Sequence, residues 1–384
     1  MKPALKAPAD RERIRSLAGW ETGGFPVTTL YLDVDGRRRP RRRDYVRRAE
    51  TLTGAACDDA RGRMEREAFI SVCHDSGRIR SFVRDDLERR GPIRGLALFS
   101  CTGAGLWEAV ELSHPVRDAV RVAPRPHLLP LEALLEQAET FCTVLVDREL
   151  ARIFLSSLGQ IEEISRLLDD VPGKHDQGGW AQARLQRHIE DHVQRHVKHV
   201  AHALLRIQRS RPFEHLVLAG PQEAVAELER DLHDYARRRI LDRITLPMTA
   251  SADEVLERVT DLEVELEGRR EREAVDRLRS EAGSGTGRAV AGMADTLGAL
   301  ESNRAEVLVL AEDLRATGIR CQRCGHLAPR AEGPCESCGG SVVEVPDLVE
   351  EAVELALRHR CRVETVADGE SLARIGSVGA LLRF

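Results

Sequence analysis

The chain has 384 residues, of which 42% are hydrophobic, 32% are charged and only 4% are aromatic, and its formal net charge is −5. This composition excludes a disordered, collagen-like or disulfide-scaffold protein, and the length predicts two or three domains. No stretch reaches the roughly 18 consecutive apolar residues of a membrane span, and residues 1–10 lack the apolar region of a signal peptide. We therefore expect a soluble, cytoplasmic protein whose weakly acidic balance still permits local basic patches.

The first predicted domain covers residues 1–135. Alternating apolar and polar residues indicate a strand at 27–34, and a short apolar run indicates a buried strand at 95–101. Helical patterns fall between these strands, at residues 43–61 and 79–90. These elements predict an α+β domain.

A run of arginines follows the first predicted strand. Six of them surround Pro40: Arg37, Arg38, Arg39, Arg41, Arg42 and Arg43. This concentration of positive charge cannot pack into a core and therefore predicts a solvated loop. The loop either binds RNA through phosphate contacts or serves only to increase solubility, and the residues favour neither interpretation over the other.

The second predicted domain covers residues 136–275. Buried-strand runs occur at 141–147 and 216–219, and two long helical segments occur at 183–209 and 252–280. Strands that alternate with helices predict a three-layer α/β unit.

A polar loop with two glycines precedes the first of these long helices. It reads Lys174-His175-Asp176-Gln177-Gly178-Gly179-Trp180-Ala181-Gln182. A Gly-Gly pair lets the backbone approach another surface closely, although such pairs are commonly just turns. Trp180, one of only three tryptophans in the chain, is either an exposed contact residue or a residue that packs the loop down.

The helix behind this loop is strongly basic. It contains only two acidic residues, Glu190 and Asp191, against seven cations: Arg184, Arg187, Arg195, Lys198, Arg206, Arg209 and Arg211. Five histidines lie at positions 188, 192, 196, 199 and 202. The first three of these are spaced by four residues and are compatible with a metal site, but we prefer a solvated or RNA-facing stripe. The pattern predicts contact with a phosphate backbone.

The third predicted domain, residues 276–384, contains two paired cysteine motifs. They are Cys321-x-x-Cys324-Gly and Cys335-x-x-Cys338-Gly, and each glycine permits the positive φ of a tight turn. Two such knuckles supply four thiolates in tetrahedral geometry, which suits a closed, structural Zn²⁺ site. The alternative is a set of unligated or redox-active cysteines. We expect the remaining cysteines to be small core residues in a reducing compartment: Cys57, Cys73, Cys101, Cys142 and Cys361.

Four segments together resemble the archaeal and eukaryotic class-one release factor and Pelota superfamily, in the same order along the chain. Residues 171–187, with Gly178 and Gly179 followed by Ala183-Arg184-Leu185-x-Arg187, are similar to the loop and helix that carry the family's GGQ motif. Residues 295–309 resemble the opening of the family's third domain, and the cysteine knuckles resemble those of archaeal members. The ending Gly376-x-x-Gly379-Ala380-Leu381-Leu382-Arg383-Phe384 is similar to the family's GGIGAILRY terminus.

The resemblance implies a three-domain, release-factor-like architecture with a zinc-ribbon insertion in the third domain. It implies a tRNA-shaped factor that enters the ribosomal A site, where a glycine loop reaches the peptidyl transferase centre and water attacks the ester of peptidyl-tRNA. The implied partners are the ribosome, ribosomal RNA, peptidyl-tRNA and a translational GTPase, and the implied cofactor is a structural Zn²⁺. The implied factor is a monomer that makes no contact with a membrane.

The chain departs from the family pattern in two places. Trp180 stands where the family has its glutamine, and the nearest glutamine is Gln182, as in a GGxxQ variant of the motif. Residues 1–130 contain no element like the NIKS or YxCxxxF motifs that read stop codons. The arginines around Pro40 would instead supply a sequence-blind grip on ribosomal RNA.

Three functions are compatible with these residues. The first, which we favour, is a codon-independent peptidyl-tRNA hydrolase for ribosome rescue that uses Gly178, Gly179 and Gln182. The second is a non-catalytic A-site binder, such as a hibernation factor or a Pelota-like rescue factor, and it rests on Trp180. The third is a nuclease that acts on the tRNA acceptor end through the histidine stripe. The candidate RNA-binding residues, besides the six arginines around Pro40, are Lys174, His175, Trp180, Arg184, Arg187, Arg195 and Lys198.

Overall fold

The structure is a computed structural model that describes residues 7–8, 11–37, 41–87, 93–168, 180–284, 286–312, 314–330, 333–366 and 370–383. Of residues 7–8, 11, 180–189 and 370–371 it describes only the backbone. The chain packs into two compact units, one formed by Met1–Glu136 with Leu266–Phe384 and the other by Gln137–Glu265. The fold is mixed α/β and multidomain, as predicted. The three-domain division at residues 135 and 275 stays a prediction. In the described part of the chain, no helix is both long and apolar enough to cross a bilayer.

The first unit opens with a sheet that lies between helices. Its strands are β1 (Ala7–Pro8), β2 (Val27–Asp33), β3 (Gly95–Cys101), β4 (Leu106–Leu112) and β5 (Ala119–Ala123). Its helices are α1 (Arg11–Ala18), α2 (Arg42–Ala60), α3 (Arg66–Ser81) and α4 (Leu129–Gln137). The strand order is β1-β4-β3-β2-β5, in which β1 runs parallel to β4 and the other pairs are antiparallel.

Side chains of β2 and β3 point alternately to the two faces of this sheet. Leu30 and Leu96 pack with residues of α2 and α3, whereas Tyr31 and Phe99 pack with residues of α1 and α4. Every residue of both strands is buried. Coverage on both faces explains why β3 is a nearly continuous apolar run in the sequence.

Helices α2 and α3 form a hairpin that carries a disulfide bond between Cys57 and Cys73, whose Cα atoms are 5.4 Å apart. The prediction that these two residues are isolated core thiols is therefore wrong, because the hairpin brings residues 16 positions apart in the sequence to the same level. The same prediction is confirmed for Cys101, Cys142 and Cys361, which are buried free thiols.

The helix predicted at residues 79–90 is confirmed for residues 79–86 but starts too late, and residues 88–90 lie outside the described part of the chain. Helix α3 begins at Arg66 and ends at Ser81, and a π-helical turn over Phe82–Asp86 follows it. Serines and a glycine within α3 weaken its helical pattern in the sequence, because these residues have low helix propensity. Packing against β2 and β3 nevertheless stabilises the helix.

The second unit contains a mixed sheet in the order β10-β9-β6-β7-β8. Its strands are β6 (Phe141–Val146), β7 (Leu150–Ser157), β8 (Gln160–Leu168), β9 (His215–Ala219) and β10 (Ile240–Ile244). Its helices are α5 (Trp180–Ser210), α6 (Gln222–Asp231), α7 (Asp234–Arg237) and α8 (Ala252–Ser284), of which α8 continues into the first unit. Strands β6, β9 and β10 are parallel, and alternate residues such as Val144 and Leu218 pack against Val197 of α5 and Leu228 of α6. The strands and long helices predicted in this region are confirmed.

The C-terminal part of the first unit contains two further sheets, in the orders β11-β17-β12-β16 and β14-β13-β15. The strands are β11 (Ala289–Ala291), β12 (Ala305–Ala311), β13 (Gly318–Cys321), β14 (Leu327–Ala328), β15 (Val342–Val345), β16 (Arg362–Val366) and β17 (Val378–Leu382). The helices are α9 (Met293–Glu301), α10 (Leu348–Arg358) and α11 (Glu370–Ala373). Helices α9 and α10 cover one face of the larger sheet, and Ala274 and Leu278 of α8 pack on the other.

Ion pairs join β5 to α10 inside the first unit. The guanidinium of Arg117 lies 3.3 Å from Glu350, and that of Arg121 lies 3.0 Å from Glu351 and also contacts Glu354. Burial raises the pKa of the Glu350 carboxyl, and the charge of Arg117 opposes that rise. Charged groups therefore contribute to the contact between this sheet and α10.

Candidate functional site

Among the elements of the second unit that carry predicted site residues, helix α5 is the longest. Its 31 residues span about 46 Å. Val193, Val197, Val200 and Leu204 recur every three or four residues and are buried against the sheet and α6. The core contacts described for α5 begin at Val193, so the N-terminal Trp180 lies about 20 Å further along the helix axis.

The opposite face of α5 is a stripe of basic and imidazole side chains, all exposed: Arg195, Lys198, His199, His202, Arg206 and Arg209. Their spacing places them within an arc of about 100° around the helix. Among the described residues, Lys198, Arg206 and Arg209 have no acidic partner. This row, the basic face, therefore presents uncompensated positive charge over about four turns, which suits the regularly spaced charges of a nucleic-acid backbone.

The histidines of α5 do not form a single stripe. His196 is completely buried and His192 is partly buried, whereas His199 and His202 lie on the basic face. The prediction of a solvated or RNA-facing position is therefore wrong for His196, because its position on the helix turns it toward the core. The side chain of His188 is outside the described residues.

An open cleft of about 610 Å³ borders the basic face. It lies between the end of β8 and α5, and its lining combines apolar and cationic groups: Leu167, Leu168, His199, His202, Leu205 and Arg206. Sequence reasoning missed the leucines of this cleft because β8 lacks the alternating pattern of a strand.

Several predicted site residues fall outside what the structure describes. These residues are Lys174, His175, Gly178, Gly179, Arg38 and Arg39. Trp180, Gln182, Arg184 and Arg187 lie in the first two turns of α5, where only the backbone is described. Their predicted roles stay predictions.

The described arginines of the N-terminal run are exposed, as predicted: Arg37, Arg41, Arg42 and Arg43. The predicted loop is wrong for Arg42 and Arg43, which form the start of helix α2. The backbone N–H of Arg37 donates to Asp35 Oδ1 over 2.9 Å, which ties that end of the run to the end of β2. At the other end, α2 begins at Arg42, whose guanidinium donates to the carbonyl oxygen of Arg84.

The four cysteines of the two knuckles lie together at the small sheet β14-β13-β15. The Sγ atoms of Cys321 and Cys338 are 3.5 Å apart, those of Cys324 and Cys335 are 3.7 Å apart, and all four lie within 4.8 Å of one another. Zn–S bonds of about 2.3 Å in tetrahedral geometry place sulfur atoms about 3.8 Å apart. The cluster therefore fits a four-thiolate metal site, and it is the one group of three or more potential ligands found within the described residues.

The backbone around the cysteines supports metal binding. Gly325 and Gly339 have φ of 79° and 69°, which confirms the predicted tight turns. Hydrogen bonds from the backbone of Cys324 and Arg323 lower the pKa of the Cys321 thiol to about 6, which favours the thiolate that a metal requires. A Cβ atom at Gly340 would lie 3.2 Å from Cys321 Sγ, so this position leaves room for the sulfurs.

Residues outside the predicted motifs anchor this cysteine cluster. Glu301, the last residue of α9, accepts a hydrogen bond from the backbone of Leu327 over 2.7 Å and pairs with His326. His326 therefore stabilises the module through a carboxylate rather than as a fifth ligand. Sequence reasoning missed Glu301 because the contact joins residues 25 positions apart.

Comparison with known proteins finds similarity to translation factors. Residues 126–263 match the model of "Bacterial archaeo-eukaryotic release factor family 10". The chain is 27% identical over 308 residues to peptide chain release factor subunit 1 of Methanocaldococcus jannaschii, covering 72% of this chain and 73% of the relative. The same protein of Methanobrevibacter smithii is 27% identical over 286 residues, covering 67% and 68%. A solved structure of Archaeoglobus fulgidus Pelota aligns with a TM-score of 0.37 and 17% identity over 75% of this chain and 79% of that one.

Proposed function

We propose that the chain, as a member of the archaeal and eukaryotic class-one release factor and Pelota superfamily, is a translation release or rescue factor. In this proposal it hydrolyses the ester of peptidyl-tRNA without reading a stop codon. The observation that carries the proposal is the basic face of α5, which runs along the helix that begins at Trp180. Bound to ribosomal RNA, this face would direct the N-terminus of α5 and the glycines before it toward the peptidyl-tRNA ester.

The proposed chemistry needs few protein groups. Positioning of water against the ester supplies most of the effect, because the ribosome holds the substrate in place. Backbone N–H groups beside Gly179 would stabilise the developing oxyanion, and the amide of Gln182 would orient the water. The first turn of α5 supports this assignment, since its N–H groups lack partners within the helix and its dipole favours negative charge.

The other parts of the molecule have supporting roles in this proposal. The arginines around Pro40 contact ribosomal RNA without reading its sequence, and Cys321, Cys324, Cys335 and Cys338 hold a structural Zn²⁺. The partners are the ribosome, peptidyl-tRNA and a translational GTPase, and the site of action is the cytoplasm. Zinc would stabilise the fold of the cysteine module and take no part in the hydrolysis.

The proposal is tested by peptide release from peptidyl-tRNA bound to ribosomes and, separately, to large subunits. We expect Gln182→Ala and Gly179→Ala to reduce the release rate by about 10²-fold or more, the effect of losing one group that stabilises an oxyanion or its attacking water. The matched control is Gln194→Ala, because Gln194 lies on the same helix and only contacts Asp231 over 2.6 Å. Full release by both active-loop variants would contradict the catalytic assignment.

A second candidate function is a non-catalytic A-site binder. Trp180 favours it, because this residue occupies the position of the family's glutamine. The same release assay separates the two functions. A wild-type protein that binds ribosomes tightly and in a salt-sensitive manner, but releases no peptide, would establish the binder and exclude the hydrolase.

A further inference from the structure

We propose that Cys57 and Cys73 form a reversible thiol–disulfide site that controls how firmly helix α2 holds the cations at its start. The disulfide joins α2 to α3, and both cysteines are partly exposed. A partly exposed disulfide is accessible to a dithiol reductant, whereas a fully buried one is reduced only when the surrounding structure opens. The consequence for RNA binding rests on the function proposed above.

When a metal occupies the cysteine cluster, the remaining cysteines do not compete for this chemistry. Burial raises the pKa of the thiols of Cys101, Cys142 and Cys361, so these residues carry little of the reactive thiolate. The other four cysteines form that cluster. Within the described chain, redox exchange is therefore directed to the Cys57–Cys73 pair.

The position of the bond on the helix hairpin explains how it would affect the cations. Arg47 is exposed and lies ten residues before Cys57, about 15 Å along α2. Between these two levels the helices leave an open cleft of about 420 Å³, lined by Glu50, Gly77, Arg80, Ser81 and Arg84. The cleft lies on the solvent side of the hairpin, and Tyr45, Ala49 and Ile79 pack on its inner side. The disulfide therefore adds a covalent restraint on α2 to this apolar packing.

Beyond the cleft, the hairpin is held by a weaker contact. The guanidinium of Arg42 donates to the carbonyl oxygen of Arg84, and both side chains are exposed. Reduction of the disulfide would leave this hydrogen bond and the apolar packing of α2 on the sheet as the remaining restraints. The cations at the start of α2 would then be held less firmly against an RNA phosphate backbone.

A dithiol reduces the disulfide bond and is itself oxidised to a cyclic disulfide. A thiolate of the reductant attacks one sulfur of the Cys57–Cys73 bond and forms a mixed disulfide, and its second thiol then displaces the other cysteine. Two electrons and two protons pass to Cys57 and Cys73, which become free thiols, while the reductant becomes a cyclic disulfide. Reoxidation by a low-molecular-weight disulfide reverses each step.

The test uses the full, metal-loaded chain in buffers of reduced and oxidised dithiothreitol. The redox state is trapped by alkylation, and the metal content is measured in parallel so that loss of zinc is detected. We expect the oxidised form to have a Tm about 4–6 °C above that of the reduced form. We also expect reduction to decrease the salt dependence of ribosome binding by about one to two units of slope, the loss of one or two phosphate contacts.

The controls separate this inference from the proposed function. The double variant Cys57→Ser, Cys73→Ser should behave as the reduced protein in every buffer, and Cys361→Ser should keep the wild-type response. The inference would be overturned if the double variant still responded to the redox buffer as the wild type does. It would also be overturned if the wild type bound ribosomes equally in both redox states. Redox-dependent ribosome binding by a protein that releases no peptide would contradict only the hydrolase.

Discussion

His326 Nδ1 lies 2.8 Å from Glu301 Oε2, and this contact joins the cysteine module to the end of helix α9. The other oxygen of the carboxylate accepts the backbone N–H of Leu327, which is itself buried in the core beneath α9 and α10. The cysteine cluster is thus attached to the core of the C-terminal sheet by hydrogen bonds and by apolar packing. Loss of the metal should consequently affect the stability of more than the small sheet alone.

Replacement of one ligand should remove the metal. We expect Cys338→Ser to reduce bound zinc from about one equivalent per chain to a small fraction, because three thiolates do not close the tetrahedral shell. Elemental analysis after gel filtration measures the metal, and thermal unfolding measures the accompanying destabilisation. The matched control is Cys361→Ser, which replaces a buried cysteine outside the cluster. Equal zinc content in the two variants would contradict a four-thiolate site.

The carboxylate of Glu354 forms ion pairs with two arginines that differ in exposure. Replacing each arginine should therefore lower the free energy of unfolding by a different amount. Arg121 has 27% of its side chain exposed and approaches from β5, whereas Arg358 has 63% exposed and lies one turn away on α10. We expect Arg121→Met to lower the free energy of unfolding by about 2–3 kcal/mol, because it leaves a buried carboxylate short of a partner. Arg358→Met should cost less than about 1 kcal/mol. Urea denaturation compares the two, and equal costs would contradict this assignment.

The sequence predicted the parts of the fold that depend on local patterns. Strands β6, β9 and β12 are short apolar runs, so their burial is visible in the sequence. The clustering of the four cysteines was predicted for a similar reason, since each pair of cysteines is only three residues apart. Strand β8 was missed because it lies at the edge of its sheet, and its mostly polar residues do not alternate.

Contacts between distant residues could not be predicted. The bond between Cys57 and Cys73 depends on how α2 and α3 fold back on each other, and no spacing rule identifies such a pair. The burial of His196 depends on which face of α5 meets the sheet. Once the helix phase is known, Arg195 and Lys198 are confirmed as exposed residues of one face.

The basic face of α5 predicts a charge-dependent affinity for ribosomes. We expect Lys198→Glu and Arg206→Glu each to weaken binding and to reduce the slope of log affinity against log salt by about 1, the contribution of one phosphate contact. The matched control is Arg148→Glu, since Arg148 is equally exposed but already pairs with Glu223 over 3.0 Å. Sedimentation binding at several salt concentrations provides the slopes. A loss of affinity as large in the control as in the two α5 variants would argue against a specific RNA-binding face.

Gly220, at the end of β9, is predicted to be intolerant of any side chain. Its φ is 134°, and a Cβ atom there would lie 2.1 Å from the carbonyl oxygen of Val146. We expect Gly220→Ala to lower the free energy of unfolding by about 2–3 kcal/mol, because the neighbouring backbone must move. Gly268→Ala in the interior of α8 is the control and should stabilise the protein by about 0.5–1 kcal/mol. Thermal unfolding of both variants checks the opposite signs.

His127 predicts how the stability of the first unit depends on pH. Burial, followed by the charges of Arg121 and Arg358, lowers the pKa of its imidazole to about 4, and its ring packs edge-on against Tyr31. The unfolded chain binds a proton at this residue below a pH of about 6.5, whereas the folded chain does so only below about 4. The free energy of unfolding therefore falls as the pH decreases from about 6.5 to about 4. Below a pH of about 4, His127 causes no further decrease.

Replacing His127 by a residue that does not titrate should remove this part of the pH dependence. Allowing for the partial exposure of the ring, we expect the wild type to lose about 2 kcal/mol more than His127→Gln between pH 6.5 and pH 4. Denaturant titrations across that range measure the difference, and His127→Phe tests whether packing rather than protonation is responsible. Both variants should show the flatter profile, because neither side chain can bind a proton. Profiles parallel to that of the wild type would mean that the pKa of His127 is the same in the folded and the unfolded chain.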